Sequence, residues 1–185
     1  MNHEMLAAAR KRMVQEQLCG MAPRILAAMS KVPRHEFALP DTSFLCAFYR
    51  RQDNSLAAAA HAATMKEPLP VTALLACEFR QSLRFQVWRH AANPREGMTP
   101  AEAQAALNQF EADLANGVTV LAPGNFQDVF RRAEELSKRH TMAGGHRSFD
   151  VLHVARALHL GARDFLTFDA NQRKLAAAEK MKVKP

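Results

Sequence analysis

Short apolar segments alternate with longer helical segments along most of this 185-residue chain, and this alternation is the feature that most limits its fold. The predicted strands are residues 36–39, 69–72, 118–121 and 164–168. Each is bounded by turn residues or by a helix signal. Such alternation is typical of a mostly parallel sheet covered by helices on both faces. We therefore expect a three-layer α/β domain with a central, mostly parallel sheet.

Helical periodicity fills the intervals between these strands. The predicted helices are residues 42–50, 55–66, 73–91, 99–116, 126–140, 149–160 and 170–180. Thr99, Pro100 and Glu102 have the spacing of a capping box with proline in the first turn. Ser148 is the predicted cap of the helix that begins near residue 149.

Composition excludes several classes of protein. The chain is 48% hydrophobic and 23% charged, which excludes a disordered chain. No apolar run approaches the roughly 18 residues that a membrane span requires. The three cysteines form no Cys-x-x-Cys pair, so neither a disulfide framework nor a thiolate zinc site is expected. Charged residues near the N-terminus argue against a signal peptide, and we expect a cytoplasmic protein.

The net charge is +7, and the isoelectric point is near 9.8. An excess of positive charge favours a nucleic-acid partner, although it does not identify one.

Four acidic residues lie at or near the predicted carboxyl ends of strands. Asp41 and Asp169 follow the first and last strands, while Glu78 and Asp150 lie early in helices. Open α/β sheets bind ligands at this edge, so the four carboxylates are predicted to converge there. Each aspartate has a structural alternative, because each is also placed to cap or favour a helix N-terminus. Glu78 lies on an apolar stripe, where an acid requires a partner.

Converging carboxylates repel one another, and a hard divalent cation removes that repulsion. Mg²⁺ and Mn²⁺ prefer carboxylate oxygen and water as ligands. A pair of such ions can activate water and stabilise the leaving oxygen of a phosphodiester. Thr42 or Ser43 is placed to orient a ligand or a water molecule beside Asp41.

These residues carry a resemblance to a known family. The segments DTSFL at 41–45, RSFDVLHVA at 147–155 and LTFD at 166–169, together with Glu78, resemble PIN-domain nucleases over residues 36–185. Within that family, these segments resemble the toxins of VapBC-type toxin–antitoxin pairs. The resemblance implies a PIN-like fold and a Mg²⁺- or Mn²⁺-dependent ribonuclease. It also implies a homodimer, inhibited by a small antitoxin whose tail enters the active site.

The same resemblance implies roles for individual residues. Four would be both catalytic and metal-binding: Asp41, Glu78, Asp150 and Asp169. Thr42 and Ser43 would support them. Arg147, Arg173 and Lys174 lie near these acids in the sequence, and each is a candidate contact for an RNA phosphate or a solvated surface charge. His153 is a candidate ligand or base, but a packed, hydrogen-bonded histidine is the favoured interpretation.

The N-terminal segment resembles a different family. Residues 10–18 and 24–35 are similar to the N-terminal helices of protein-L-isoaspartate methyltransferases. No glycine-rich loop for S-adenosylmethionine follows, so we expect no methyl transfer. Residues 1–35 are therefore predicted to be a helical appendage and residues 36–185 the PIN-like domain.

Two alternatives to the nuclease interpretation differ in the residues that they require. A haloacid-dehalogenase-like phosphatase would need a second aspartate where Ser43 stands. The alternative that remains is a non-catalytic, PIN-like module that binds RNA or protein.

Phe79, Phe85 and Trp88 share a predicted helix, and their spacing favours core or dimer packing over base stacking.

Overall fold

The structure is a computed structural model that describes residues 37–123 and 125–185. The predicted N-terminal helices of residues 1–35 lie outside the described residues. Within these, the chain forms seven helices and five strands, which confirms the α/β class. The strands are β1 Ala38–Pro40, β2 Leu69–Thr72, β3 Thr119–Ala122, β4 Asp164–Leu166 and β5 Lys182–Lys184. The helices are α1 Thr42–Tyr49, α2 Ser55–Thr64, α3 Ala73–Ala92, α4 Pro100–Ala115, α5 Phe126–Gly144, α6 Ser148–Leu160 and α7 Ala170–Ala178.

The chain divides into two compact units. One unit contains Leu45–Leu121, and the described part of the other contains residues 37–44 and 122–185. We call them the central unit and the outer-segment unit, from their places in the sequence.

The outer-segment unit contains a three-stranded parallel sheet in the order β1-β4-β5. Pro40, which has no N–H to donate, is the last residue of β1 and lies opposite Leu166. The next residue, Asp41, donates its N–H to the Leu166 carbonyl at 2.9 Å. The proline therefore ends the strand without interrupting its pairing.

The core of this unit lies between the sheet and helices α5, α6 and α7. Leu39 and Phe165 contribute from the strands and are buried. The helices contribute mainly small and branched side chains: Val129, Ala133, Leu136, Val151, Val154, Ala155, Ala157, Leu175 and Ala176. These small side chains allow the helices to pack closely.

The central unit contains the two-stranded sheet β2-β3 and an aromatic group. Tyr49, Phe79 and Phe110 are buried, and their ring centroids lie 5.0–5.4 Å apart. Phe110 comes from α4, whose predicted capping box is present: Thr99 and Glu102 exchange hydrogen bonds. The chain between β2 and β3 therefore contributes directly to this core.

Some details of the sequence prediction are wrong. The sequence pattern did not predict a strand at Lys182–Lys184, where the structure has β5. Helix α5 was predicted to end at residue 140, and it continues to Gly144. The cap of α6 is Arg147 and not Ser148. Phe79 is buried as expected, but Phe85 and Trp88 are 50% and 63% exposed. The prediction of core packing is therefore wrong for Phe85 and Trp88, and dimer packing stays a prediction. No described helix has the length and apolar character needed to span a membrane.

We expect Phe110→Ala to reduce the free energy of unfolding by about 3–5 kcal/mol, because it leaves a cavity among buried rings. Leu121→Ala in the same unit is the control. Its side chain is 58% exposed, so the loss should be roughly 0.5 kcal/mol. Urea unfolding of both variants measures the difference, and equal losses would show that the aromatic group does not stabilise this unit.

Candidate active site

Three of the four predicted acids lie in the outer-segment unit. Asp41 directly follows β1, and Asp169 follows β4 after two residues and caps α7. Asp150 lies in the first turn of α6. Since β1 and β4 are parallel neighbours, Asp41 and Asp169 leave the sheet at the same edge. We call Asp41, Asp150 and Asp169 the aspartate site.

The Asp41 carboxylate is fully buried and accepts three hydrogen bonds. Its Oδ1 accepts from the Ser43 hydroxyl at 2.7 Å and from the Phe44 N–H at 2.9 Å. Its Oδ2 accepts from the Thr167 hydroxyl at 2.5 Å. The predicted capping role of Asp41 is therefore present, but the two hydroxyl donors go beyond what a helix cap requires.

Thr167 connects two members of the aspartate site. While its hydroxyl donates to Asp41, the same oxygen accepts the N–H of Asp169 at 2.9 Å. Ser43 adds a second connection, since its hydroxyl also accepts the Phe168 N–H at 2.8 Å. The ends of β1 and β4 are thus tied together by side chains as well as by the strand pairing.

Asp150 and Asp169 both interact with helix N-termini. Asp150 Oδ2 accepts the Arg147 N–H at 3.2 Å. Asp169 Oδ1 accepts the N–H groups of Asn171 and Gln172, each at 2.8 Å. These bonds orient both carboxylates from rigid helical turns.

Burial raises the pKa of Asp41 above its usual value, and the hydrogen bonds from Thr167, Ser43 and Phe44 only partly oppose it. Burial also raises the pKa of Asp150, and the nearby charge of Asp169 raises it further. A raised pKa means that ionisation disfavours the folded state, so stability from these groups falls as pH rises through that pKa. A bound cation would offset this penalty by favouring the ionised carboxylates.

His153, on α6, is almost completely buried, with 2% of its surface exposed. Its Nε2 is 3.5 Å from the Thr42 hydroxyl. Positive charge on His153 would favour the ionised forms of both Asp41 and Asp150. The favoured prediction of a packed, hydrogen-bonded histidine agrees with this environment.

The other predicted site residues have different surroundings. Glu78 lies on α3 in the central unit and is half-buried. Arg147 and Lys174 are exposed in the outer-segment unit. Arg173 is half-buried, and its guanidinium donates to the carbonyls of Thr167 and Pro185 at 2.9 and 2.7 Å. This gives Arg173 a structural role next to the aspartate site.

Across residues 37–123 and 125–185, no group of three or more His, Cys, Asp or Glu side chains is arranged to hold a metal ion. The chemistry of the aspartate site nevertheless fits a divalent cation. Its donors are carboxylate oxygens, the preferred ligands of Mg²⁺ and Mn²⁺. Burial penalises the ionised state of Asp41 and Asp150, and the charge of Asp169 adds to the penalty at Asp150; such a cation would relieve both effects.

The sequence pattern did not identify Thr167 as a residue that positions the aspartates. Its position two residues before Asp169, at the end of a strand, was the available signal. Its bond to Asp41 depends on the register between β1 and β4, which spans more than a hundred residues of chain. A single sequence does not supply that register.

Comparison with known families gives one match. The model of the PIN domain family matches residues 38–178, which is more than half of the chain. No curated protein matches the chain. The matched region includes all four acids that the sequence singles out.

We expect Thr167→Val to reduce the free energy of unfolding by about 1–3 kcal/mol, because Asp41 Oδ2 and the Asp169 N–H both lose a buried partner. Thr167→Ser keeps the hydroxyl and should lose less. Urea unfolding of the two variants makes the comparison. A valine variant as stable as the serine variant would contradict the proposed importance of this hydroxyl.

Proposed function

We propose that this chain, which belongs to the PIN domain family, is a metal-dependent ribonuclease that hydrolyses RNA phosphodiester bonds. PIN domains are generally metal-dependent ribonucleases. The observation that carries the proposal is the placement of Asp41 and Asp169 at the same edge of the parallel sheet, in the unit whose helix α6 carries Asp150 in its first turn. Burial and the charge of Asp169 raise the pKa of Asp150, and a bound cation would offset this cost.

The proposed metal ligands are Asp41, Asp150 and Asp169, and the sequence resemblance implies Glu78 as a further ligand. When bound, Mg²⁺ or Mn²⁺ supplies activation of water and stabilisation of charge on the reacting phosphate. The protein's contribution is to orient the carboxylates. Asp41 is fixed by Thr167 and Ser43, while Asp150 and Asp169 are fixed by backbone N–H groups at the N-termini of α6 and α7.

Asp150 is only half-buried, so solvent and substrate can reach it, whereas Asp41 is fully buried. We propose that Asp150 holds the cation on the side of the site that the substrate phosphate approaches.

The charge of the chain supports an RNA substrate. Its net charge of +7 favours association with a polyanion. Arg147 and Lys174 are exposed near Asp150 and Asp169 in sequence, and both are proposed phosphate contacts. Arg173 is better explained by its bonds to backbone carbonyls, and its effect on RNA would be indirect.

We further propose that the nuclease is the toxin of a toxin–antitoxin pair, held inactive by a small antitoxin. The sequence resemblance to VapBC-type toxins supports this role. An adjacent small open reading frame whose product co-purifies with the chain and blocks cleavage is the expected finding. A nuclease without such an inhibitor would instead serve RNA processing.

A homodimer is the proposed assembly, and helix α3 offers a surface for it. Phe85 and Trp88 stack with ring centroids 5.3 Å apart, and Arg84 is exposed on the same face. Antiparallel packing of two copies of α3 would place Arg84 of one copy against Trp88 of the other, which is a favourable cation–π contact.

We expect Trp88→Lys to convert the dimer to a monomer, because the introduced lysine of each copy would then face the like charge of Arg84 of the other copy. Sedimentation velocity measures the change in mass. Leu121→Lys, which alters another exposed apolar residue, should leave the dimer intact. A wild-type monomer, or a dimer unaffected by Trp88→Lys, would contradict this interface.

We expect Asp150→Asn to reduce Mn²⁺-dependent cleavage of a mixed tRNA and rRNA pool by at least roughly a hundredfold, because it removes the charge of a proposed metal ligand. The variant should remain folded, since asparagine keeps an oxygen to accept the Arg147 N–H. Gel analysis of the RNA over time, with and without Mn²⁺, measures the effect.

Glu134→Gln is the matched control, because this carboxylate lies on the exposed face of α5 and pairs only with Lys138 in the described contacts. It should cleave like the wild type. Equal activity of Asp150→Asn and wild type would refute the site. Binding of RNA without cleavage by any folded form would favour the non-catalytic module.

A further inference from the structure

Two phenylalanine rings form an exposed apolar surface on the first turns of α5. Phe126 and Phe130 are 46% and 56% exposed, and their ring centroids lie 6.3 Å apart. Because they are four positions apart, the two residues share one face of the helix. Other residues of α5, including Val129, Ala133 and Leu136, are buried in the core of the outer-segment unit. We call Phe126 and Phe130 the phenylalanine patch.

A buried cation lies next to the phenylalanine patch. The guanidinium carbon of Arg156, a residue of α6, is 5.8 Å from the centroid of the Phe126 ring. Arg156 is only 4% exposed, yet its Nε and Nη1 have no hydrogen-bond partner among residues 37–123 and 125–185. Its Nη2 donates to the Ala122 carbonyl at 3.2 Å. Two nitrogens of this guanidinium are therefore left without an acceptor in the described part of the chain.

The burial of Arg156 is costly for the free protein. A buried guanidinium is usually paired with a carboxylate, because burial removes water from its charge. Burial lowers the pKa of Arg156, and no described carboxylate opposes this effect. The contact with the Phe126 ring compensates only in part, since a cation–π contact leaves N–H groups without an acceptor. The stability of the outer-segment unit therefore does not explain a charged residue at this position.

We propose that Arg156 and the phenylalanine patch bind a segment of a partner protein in which an aspartate or glutamate lies between apolar residues. The carboxylate would accept hydrogen bonds from the guanidinium and so pair the buried charge. The half-exposed Phe126 ring would turn outward to admit it, and both rings would then pack against the apolar residues of the segment. This inference is independent of the proposed ribonuclease activity.

The position of the guanidinium favours a protein segment over a nucleic acid. A carboxylate is the end of a flexible side chain, so it can reach a cation that lies behind a ring. A phosphodiester is joined to a sugar on each side and fits such a position poorly. Exposed aromatic rings next to an arginine are also typical of the central residues of protein–protein interfaces.

The test selects peptides from a random library displayed on phage, with the full-length chain as the immobilised target. The most enriched peptide is synthesised with an amidated C-terminus, in its selected form and with each acidic residue changed to the amide. Fluorescence anisotropy measures the binding of both forms to wild type, Arg156→Met and Phe130→Ser. Arg163→Met and Met142→Ser are the matched controls, because they remove an exposed arginine and an exposed apolar residue of the same unit.

We expect the selected peptides to share an aspartate or glutamate beside apolar residues. Arg156→Met and the amide form of the peptide should each weaken binding by roughly tenfold or more, the size of a lost hydrogen bond to a charged group. Combining the two changes should weaken it little further, because both remove the same contact. Phe130→Ser should also weaken binding, and both controls should bind like wild type. In urea, Arg156→Met should be at least as stable as wild type, since an unpaired buried charge is gone.

Several results would overturn the inference, and none of them depends on cleavage of RNA. Selection of no peptide, or of peptides without an acidic residue, would show that the surface does not recognise a carboxylate. Equal binding by Arg156→Met and wild type would place the peptide elsewhere. If Arg156→Met does not fold, equal binding of the acidic and amide peptides would overturn the inference by itself. Weaker binding of single-stranded RNA by Arg156→Met, with no acidic peptide selected, would assign the cation to nucleic acid.

Discussion

The buried carboxylate of Asp41 is the constraint on which the outer-segment unit depends. An ionised group without exposure to water needs several donors, and Asp41 draws them from both ends of this unit's sequence. Ser43 and Phe44 follow it directly, whereas Thr167 comes from the end of β4. The pairing of β1 with β4 brings these donors together, so the strand register and the environment of the carboxylate are determined jointly.

The three aspartates each combine a structural and a proposed chemical role. Their hydrogen bonds to helix N-termini hold the side chains in place, which is the arrangement that a catalytic site requires. Burial makes the charges of Asp41 and Asp150 unfavourable, and the charge of Asp169 adds to the penalty at Asp150. The N–H of Phe44 would be satisfied by serine or asparagine at position 41, and neither carries a charge. The proposed role in holding a cation would account for the carboxylates.

The sequence was sufficient for the features that depend on local patterns. The α/β alternation, the capping box of Thr99 and Glu102, and the position of Asp41 and Asp169 after strands were all predicted. Features that depend on packing were not predicted from the sequence. Phe85 and Trp88 lie on the exposed side of α3, and helical spacing alone does not show which face meets a core. The three-residue strand β5 contains two lysines, and only its pairing with β4 identifies it.

The most direct test of the central claim is a crystal structure of the wild-type protein soaked in Mn²⁺, measured with anomalous scattering. Our account predicts a strong anomalous peak bonded to carboxylate oxygens of Asp41, Asp150 and Asp169, with Mn²⁺–oxygen distances of about 2.2 Å, close to those of other hard divalent ions. It also predicts that the peak is absent from crystals of the Asp150→Asn variant. Ordered carboxylates with no anomalous peak at saturating Mn²⁺ would contradict the account, because the aspartate site would then be a set of helix caps alone.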